Sequence, residues 1–375
     1  MWVITLVITA VVSLNYAFLI LFFRRGWKKL PSNVKPSKGN TFISVLIPVR
    51  NEQENIPVLI KQLKKQSYQN GLWEVLFIND HSTDNSVILI SQNSNQLKNV
   101  KLIHLQADKS GKKHAIWWGI QNSSGKLIVT LDADCLPAEK WLETIAYFYQ
   151  ASKPQLIIAP VIMNRRKSMS NALFGLEFIS LLASTAGAAG KKKPIMCNGA
   201  NLAFERALIK KISDIYEHPS ASGDDIFLLE EVKRKGKKIS FCKSVNACVY
   251  TDPPQNIRQF INQRLRWAAK SSQYQDHFLI YTAISVFLIN FALVGTLISS
   301  IFNFQIIYVF VSLLLLKGTV DSMLLKPVSI FFNLKALLKP KYYLSTQLLY
   351  PFYSVFIAFA SQVSGFNWKN RRYKN

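Results

Sequence analysis

Leu127-Ile128-Val129-Thr130-Leu131-Asp132-Ala133-Asp134 is the stretch on which the fold of this chain turns. Its apolar part is short, carries β-branched residues and follows Ser124-Gly125, so it predicts a buried strand. Two carboxylates then emerge where that strand meets a loop. Ligands of open α/β sheets sit outside the carboxyl ends of the strands. Alternate residues of an extended segment point to the same side, so Asp132 and Asp134 can approach one ligand together. Hard carboxylate oxygens suit Mg²⁺ or Mn²⁺, which in turn holds a diphosphate. Taken alone, Asp-x-Asp equally suits a solvated turn, and the surrounding sequence has to decide.

Around this stretch, apolar runs alternate with helix-forming ones. Strands are expected at residues 42–47 (ended by Pro48), 74–78, 100–105, 126–131 and 155–161, and helices at 52–66, 84–92, 112–121 and 139–150. Such alternation predicts βαβ units and a mostly parallel sheet with helices on both faces. Further on, residues 195–204 mix strand residues with Asn198-Gly199-Ala200-Asn201, and helices are expected at 224–235 and 257–270. Residues 171–190 are apolar and rich in small side chains. They suit a helix at a membrane interface, the lining of an acceptor cleft or a plain buried helix.

The chain has 375 residues, enough for one large domain or two modest ones, and its hydrophobic residues, 49% of the total, are unevenly placed. Residues 2–23 carry no charge and are long enough to span a bilayer. Residues 278–316 are also uncharged, long enough for two helices with a break near 299–303, and 342–363 form a further uncharged stretch. The expected organisation is an N-terminal span (1–23), a basic linker (24–41), a soluble α/β domain (42–270), a C-terminal transmembrane or interfacial region (271–366) and a basic tail (367–375). No basic n-region and no small-x-small cleavage site precede Arg24, so the first stretch reads as an uncleaved anchor. Arg24, Arg25, Lys28 and Lys29 follow it and place the α/β domain on the cytoplasmic side of the plasma or inner membrane. The tail Lys369-Asn370-Arg371-Arg372 also prefers that side, so either 342–363 is interfacial or re-entrant or the spans are miscounted. Lys317 and Asp321 stand at i, i+4 and could pair, letting a helix from Phe304 run on toward Leu325.

The net charge is +25. The runs Arg165-Arg166-Lys167, Lys191-Lys192-Lys193 and Lys233-Arg234-Lys235 accompany membrane segments, and anionic lipid attracts each such residue by about 1 kcal/mol near the surface. A lipid bilayer is therefore the expected basic-surface partner, and nucleic acid is not, since no aromatic-interleaved motif appears. Cys135, Cys197, Cys242 and Cys248 form no Cys-x-x-Cys pair and read as small buried residues rather than zinc ligands.

Acids also sit at other strand ends and helix starts. Asp80 ends the 74–78 strand and can accept hydrogen bonds from a nucleobase or ribose; Asn79-Asp80-His81-Ser82 equally suits an Asx turn. Asp84 most simply caps the next helix. Asp224 and Asp225 open a helix, where one acid suffices for capping. Mutual repulsion raises the pKa of one of such a pair, which suits it to take a proton. Gln263, Arg266 and Trp267 share one helix face, suited to grip a diphosphate and pack a sugar, or to anchor an interfacial helix. Lys109-Ser110-Gly111-Lys112-Lys113 suits phosphate contact at a helix start, or a solvated loop.

Pro48-Val49-Arg50-Asn51-Glu52, Ile78-Asn79-Asp80-His81-Ser82-Thr83-Asp84, Leu131-Asp132-Ala133-Asp134, Gly223-Asp224-Asp225 and Gln263-Arg264-Leu265-Arg266-Trp267 occur in this order. Together they resemble the membrane-bound inverting glycosyltransferases of family 2 with the GT-A fold, a group that includes cellulose, hyaluronan and poly-N-acetylglucosamine synthases and glycolipid-forming relatives. The likeness covers roughly residues 42–270. It implies a nucleotide-sugar donor and a lipid-linked or glycan acceptor. Pro48, Asn51, Glu52, Asp80, Lys112 and Asp132 would bind the donor, with Asp80 at the base, uracil by the resemblance. Asp132 and Asp134 would hold Mg²⁺ or Mn²⁺, and Asp225 would be the general base, with Glu231 a second candidate. Asn198, Asp224, Gln263, Arg266 and Trp267 would serve the acceptor and diphosphate. The chain departs from the pattern at Asn79, where many relatives have Asp, at Asp224, where Glu is usual, and at Trp117, where Asn is common. A processive synthase, or a non-catalytic subunit that binds nucleotide-sugar, are the competing readings; few spans weigh against the first and intact acids against the second.

Overall fold

The computed structural model describes residues 2–32, 40–94, 99–164, 168–209, 224–363, 366–368 and 371–373. Arg165-Arg166-Lys167, Gly223 before Asp224, residues 33–39 of the linker and Lys369-Asn370 of the tail lie outside the described residues. In chain order the elements are α1 (Trp2–Lys29), β1 (Ile43–Val49), α2 (Ile56–Leu63), β2 (Trp73–Asn79), α3 (Ser86–Ser94), β3 (Val100–His104), α4 (Lys112–Gln121), β4 (Leu127–Thr130), β5 (Cys135–Pro137), α5 (Trp141–Ser152), β6 (Leu156–Ile158), β7 (Val161–Met163) and α6 (Met169–Gly190). They continue as β8 (Leu202–Glu205), α7 (Arg206–Ile209), α8 (Asp224–Arg234), β9 (Ile239–Phe241), β10 (Val249–Thr251), α9 (Ile257–Ala268), α10 (His277–Phe302), α11 (Ile306–Phe331), α12 (Pro340–Val363), β11 (Phe366–Trp368) and β12 (Arg371–Tyr373). The chain divides into a sheet unit, Leu30–Asn164 with Met196–Asp252, and a helical unit, Met1–Lys29, Arg165–Ile195 and Pro253–Asn375.

The main sheet of the first unit has the order β3-β2-β1-β4-β8-β6-β9. β1 lies between β2 and β4 and runs parallel to both. β3 is parallel to β2, while β8 is antiparallel to both β4 and β6. Nearly every side chain of β1, β2 and β4 is buried, as expected of parallel strands covered on both faces. The chain winds outward from β1 to β2 and β3, then returns to the other flank of β1 with β4. That reversal opens a crevice at the carboxyl ends of β1 and β4.

Two strand expectations need correction. Pro48 does not end β1, which runs on to Val49. β4 stops opposite Leu46, so beyond that point β1 pairs with β2 alone. One flank of Pro48 is open, and its missing N–H leaves that flank without loss. The strand expected at 155–161 is split in two. β6 stays in the main sheet, whereas β7 joins β10 in a three-stranded sheet of order β5-β10-β7. Pro160 lies at the break and has no N–H to continue a ladder. At the amino ends of the strands, Gly125 N donates to Ser44 Oγ at 2.7 Å and Ser44 Oγ to Glu74 Oε1 at 2.6 Å. A side chain at Gly125 would collide with the Ser44 backbone.

In the helical unit, α1, α6, α10 and α11 are the described helices long and apolar enough to cross a membrane. The 342–363 stretch is helical, as α12, but is not in that set. The break expected near 299–303 falls between Phe302 and Ile306. α11 runs through Lys317 and Asp321, whose ion pair closes at 2.7 Å. Tyr16 of α1 donates to Asp321 Oδ1 at 2.5 Å, and Gln347 of α12 accepts from Lys317 at 2.9 Å. These buried polar groups satisfy one another, as apolar surroundings require. α1 and α6 cross where Gly26 and Gly187 meet, with the Phe23 carbonyl 2.5 Å from the position a Gly187 Cβ would take. Gly187→Ala is expected to lower stability by about 1–3 kcal/mol through overpacking. A thermal melt of the detergent-solubilised protein measures it, and an unchanged melt would mean the crossing is looser than described.

Candidate active site

The parallel order sets the site. β1, β2 and β4 all end at one edge of the sheet. β8 runs the other way, with Leu202 opposite Thr130, so the residues before it, 198–201, reach the same edge. Asn51 and His81 follow β1 and β2 with φ of 53° and 54°. Asn and His tolerate this left-handed conformation better than most side chains, and here it turns both strand exits sharply.

Asn79, not Asp80, closes the turn: its Oδ1 accepts from Ser82 N, three residues on, at 3.0 Å. Asp80 is left to point elsewhere, and its Oδ2 accepts from Gly111 N at 3.0 Å. Arg50 Nη1 donates to the Asp80 carbonyl at 2.7 Å and stands 3.8 Å from Asp80 Oδ1. Asp80 and Asn79 are buried. Gly111 has φ of 96° and begins α4, which brings Lys112 to the same spot.

Lys112 Nζ lies 2.5 Å from Asp132 Oδ1. It also lies 3.3 Å from the position a Cβ on Gly199 would occupy, and Asp225 Oδ2 lies 3.6 Å from that same position. Asp225 Oδ2 accepts from Gly199 N at 3.1 Å, its Oδ1 from Ile226 N at 2.9 Å, and its carbonyl from Cys197 Sγ at 3.1 Å. Asp80, Lys112, Asp132 and Asp225 therefore converge, with the backbones of Gly111 and Gly199 between them. Glu231 sits on the same helix as Asp225 and is held by Arg234 at 2.7 Å and Lys235 at 3.4 Å. The hydrogen-bonded Arg234 guanidinium keeps its carboxyl below the usual range, which makes it a poor proton acceptor compared with an unpaired acid.

Asp132 and Asp134 lie in a turn closed by Cys135 N donating to the Asp132 carbonyl at 3.1 Å. Leu131, Ala133 and Cys135 are buried, whereas Asp132 is half-buried and Asp134 exposed, so both carboxylates turn outward. Two hard carboxylates within one turn are of the donor type that Mg²⁺ or Mn²⁺ takes, with phosphate oxygens and water completing the shell. Among the described residues no group of three or more His, Cys, Asp and Glu gathers to enclose an ion by protein alone.

The other sequence-predicted residues take local roles or belong to the helical unit. Glu52 Oε2 accepts from Asn55 at 2.6 Å where α2 begins, and Asn51 Oδ1 accepts from Thr83 N at 2.8 Å. Asn198 Oδ1 accepts from Ala200 N at 3.0 Å, shaping the turn before β8. Pro48 lies in β1 itself. Asp84 Oδ1 accepts from Ser86 N at 3.0 Å and caps α3. The side chain of Asp224 is outside the described residues. Gln263, Arg266 and Trp267 lie on α9 of the helical unit, away in the chain from the sheet unit's acids. Sequence reading missed Arg50 and Gly199 as parts of the site. Their signals were a base next to a strand exit and a glycine inside an Asn-rich turn.

Residues 44–212 match the profile of Glycosyl transferase family 2. The chain thus carries a family 2 glycosyltransferase domain, and its fold is of the GT-A type. Glycosyltransferase AglE of Haloferax volcanii is 35% identical over 102 residues, 27% of this chain and 33% of that protein. An undecaprenyl-phosphate 4-deoxy-4-formamido-L-arabinose transferase of Pectobacterium carotovorum is 32% identical over 147 residues, 39% of this chain and 44% of that protein. The matches span less than half the length of these curated relatives. The mannosyltransferase PcManGT of Pyrobaculum calidifontis, solved with GDP-Man and Mn²⁺, superposes with a TM-score of 0.60 at 17% identity, over 92% of this chain and 98% of that one. At that identity the likeness is one of fold.

Lys112→Met is expected to weaken nucleoside-diphosphate binding about tenfold, the loss of one charge-assisted hydrogen bond worth roughly 1.5 kcal/mol. Calorimetry with UDP and GDP reads it; unchanged affinity would remove Lys112 from the donor site.

Proposed function

We propose that this protein is a membrane glycosyltransferase that moves a sugar from a nucleotide-diphosphate donor, a UDP-sugar, to a hydroxyl of a lipid-linked or polysaccharide acceptor, with inversion. The convergence of Asp80, Lys112, Asp132 and Asp225 at one sheet edge carries this reading. The undecaprenyl-phosphate transferase of Pectobacterium supports a lipid-linked acceptor, and the apolar helices support a multi-pass protein. Arg24, Arg25, Lys28 and Lys29 support a cytoplasmic sheet unit under the positive-inside rule.

Asp80, steadied by Gly111 N and Arg50, accepts hydrogen bonds from the base. Asp132 and Asp134 would hold the divalent ion, which when bound supplies charge to the diphosphate oxygens. Lys112, drawn from Asp132 toward those oxygens, offsets the negative charge that grows as the anomeric C–O bond breaks. Asp225 takes the proton of the acceptor hydroxyl, and the resulting oxygen attacks the anomeric carbon opposite the departing diphosphate. The electron pair of the broken bond leaves on the diphosphate. One displacement inverts the centre and needs no covalent intermediate on the protein. We assign Gln263, Arg266 and Trp267 to the acceptor end and diphosphate.

Screening radiolabelled nucleotide-sugars with membrane extracts, with and without Mn²⁺, tests the activity directly. Asp225→Asn is expected to abolish transfer while UDP affinity stays near the wild-type value; lost affinity would show the base to be misassigned. Asp134→Ala is expected to remove Mn²⁺-dependent enhancement of UDP binding, read by calorimetry. An unchanged Mn²⁺ titration would place the ion elsewhere.

A further inference from the structure

Arg264 stands inside the motif Gln263-Arg264-Leu265-Arg266-Trp267 but belongs to the opposite kind of environment from a solvent-facing base. It is buried, 4% exposed, and so is Glu177 of α6, at 7%. The guanidinium meets the carboxylate with two donors: Arg264 Nε reaches Glu177 Oε1 at 2.7 Å and Nη2 reaches Oε2. Its third arm, Nη1, donates to Gln263 Oε1 at 2.5 Å. Its plane lies against two rings, with Cζ 4.5 Å from the Phe260 centroid and 4.2 Å from that of Trp267. Phe174 of α6 stacks on Phe260 at 4.1 Å, and Tyr353 of α12 tilts against the same ring at 5.2 Å. One guanidinium thus fixes the rotamers of two motif residues, Gln263 and Trp267, and is itself fixed from another helix.

Glu177 is the one acid in an otherwise uncharged helix. A lone ionisable group in such a segment is expensive and is retained with a partner that gives it a task. A planar, five-donor guanidinium is suited to that task where an ammonium is not, since it pairs bidentately and stacks at the same time. We infer that Glu177 and Arg264 are positioning residues: together they hold Gln263 and Trp267 in the geometry in which α9 serves transfer. The inference rests on the acceptor and diphosphate role assigned above to Gln263, Arg266 and Trp267.

The test uses the full chain in detergent, with 5-fluorotryptophan incorporated and the Trp267 ¹⁹F line assigned by Trp267→Phe. The principal variant is Glu177→Leu with Arg264→Met, which replaces the buried pair by apolar groups and so leaves no unpaired charge. It is expected to melt no lower than wild type. Its Trp267 line is expected to shift or split, and kcat to fall about tenfold or more, as misplaced contacts do. A folded double variant with an unchanged line, or with unchanged kcat, overturns the inference. If that variant does not fold, Arg264→Lys decides: it keeps the charge but loses the fork and the stacking, and wild-type transfer by it also overturns the inference. Should the wild type transfer no sugar from any donor, the proposed function fails, while the ¹⁹F line still reports whether the pair fixes Trp267.

Discussion

Carboxylates that gather at one edge of a sheet repel one another, and everything in the site depends on how that repulsion is relieved. Two unit charges 4 Å apart interact by roughly 4 kcal/mol at an effective dielectric near 20. Lys112 meets this need with a single ammonium at 2.5 Å from Asp132 and close to the Gly199–Asp225 contact. Backbone N–H groups do the rest, Gly111 toward Asp80 and Gly199 toward Asp225. Both donors are glycines for a physical reason. Gly111 adopts a positive φ that side chains resist, and a Cβ at Gly199 would press on the Lys112 ammonium at 3.3 Å. The same arrangement leaves a cation beside the acids that can turn to an incoming diphosphate.

The helical unit answers the opposite problem, how to keep charges where water is scarce. At two places it does so by pairing buried ions within the unit and filling the remaining hydrogen bonds with neutral groups. Lys317 and Asp321 are joined by Tyr16 and Gln347 from two other helices. Glu177 and Arg264 are joined by Gln263 and enclosed by aromatic rings. Such pairs add little net stability compared with apolar packing, because desolvation offsets the attraction. What they add is geometry, since removing either partner strands a charge. Close backbone approach at Gly26 and Gly187 sets the crossing of α1 and α6 by simple exclusion.

Much of the fold was legible in the chain because its signals are local. Alternating apolar strands and amphipathic helices are repeated patterns, and charge-free runs of this length are rare outside membranes. The αβ alternation, the parallel core of the sheet and the apolar helices near both termini followed from them. Short elements were not legible. β5, β9 and β10 span three residues each, too few to show a period, and the division of 155–161 between two sheets depends on which partner strand lies beside each half.

The residues of the site divide along the same line. Asp80, Asp132 and Asp225 were readable as acids at strand ends and a helix start, since residue type and spacing suffice for that. Which of Asn79 and Asp80 makes the turn, and which oxygen faces Gly111, could not be read, because both side chains satisfy the same local rule. Nor could the buried partnership of Glu177 with Arg264, whose members are 87 positions apart. Sequence alone determined the class of structure and the chemistry available, through patterns that repeat within a few residues. Tertiary structure alone decided which acids share a cation and which motif residues are braced from another helix, because contacts between distant segments exist only once the backbone has brought them within a few ångströms.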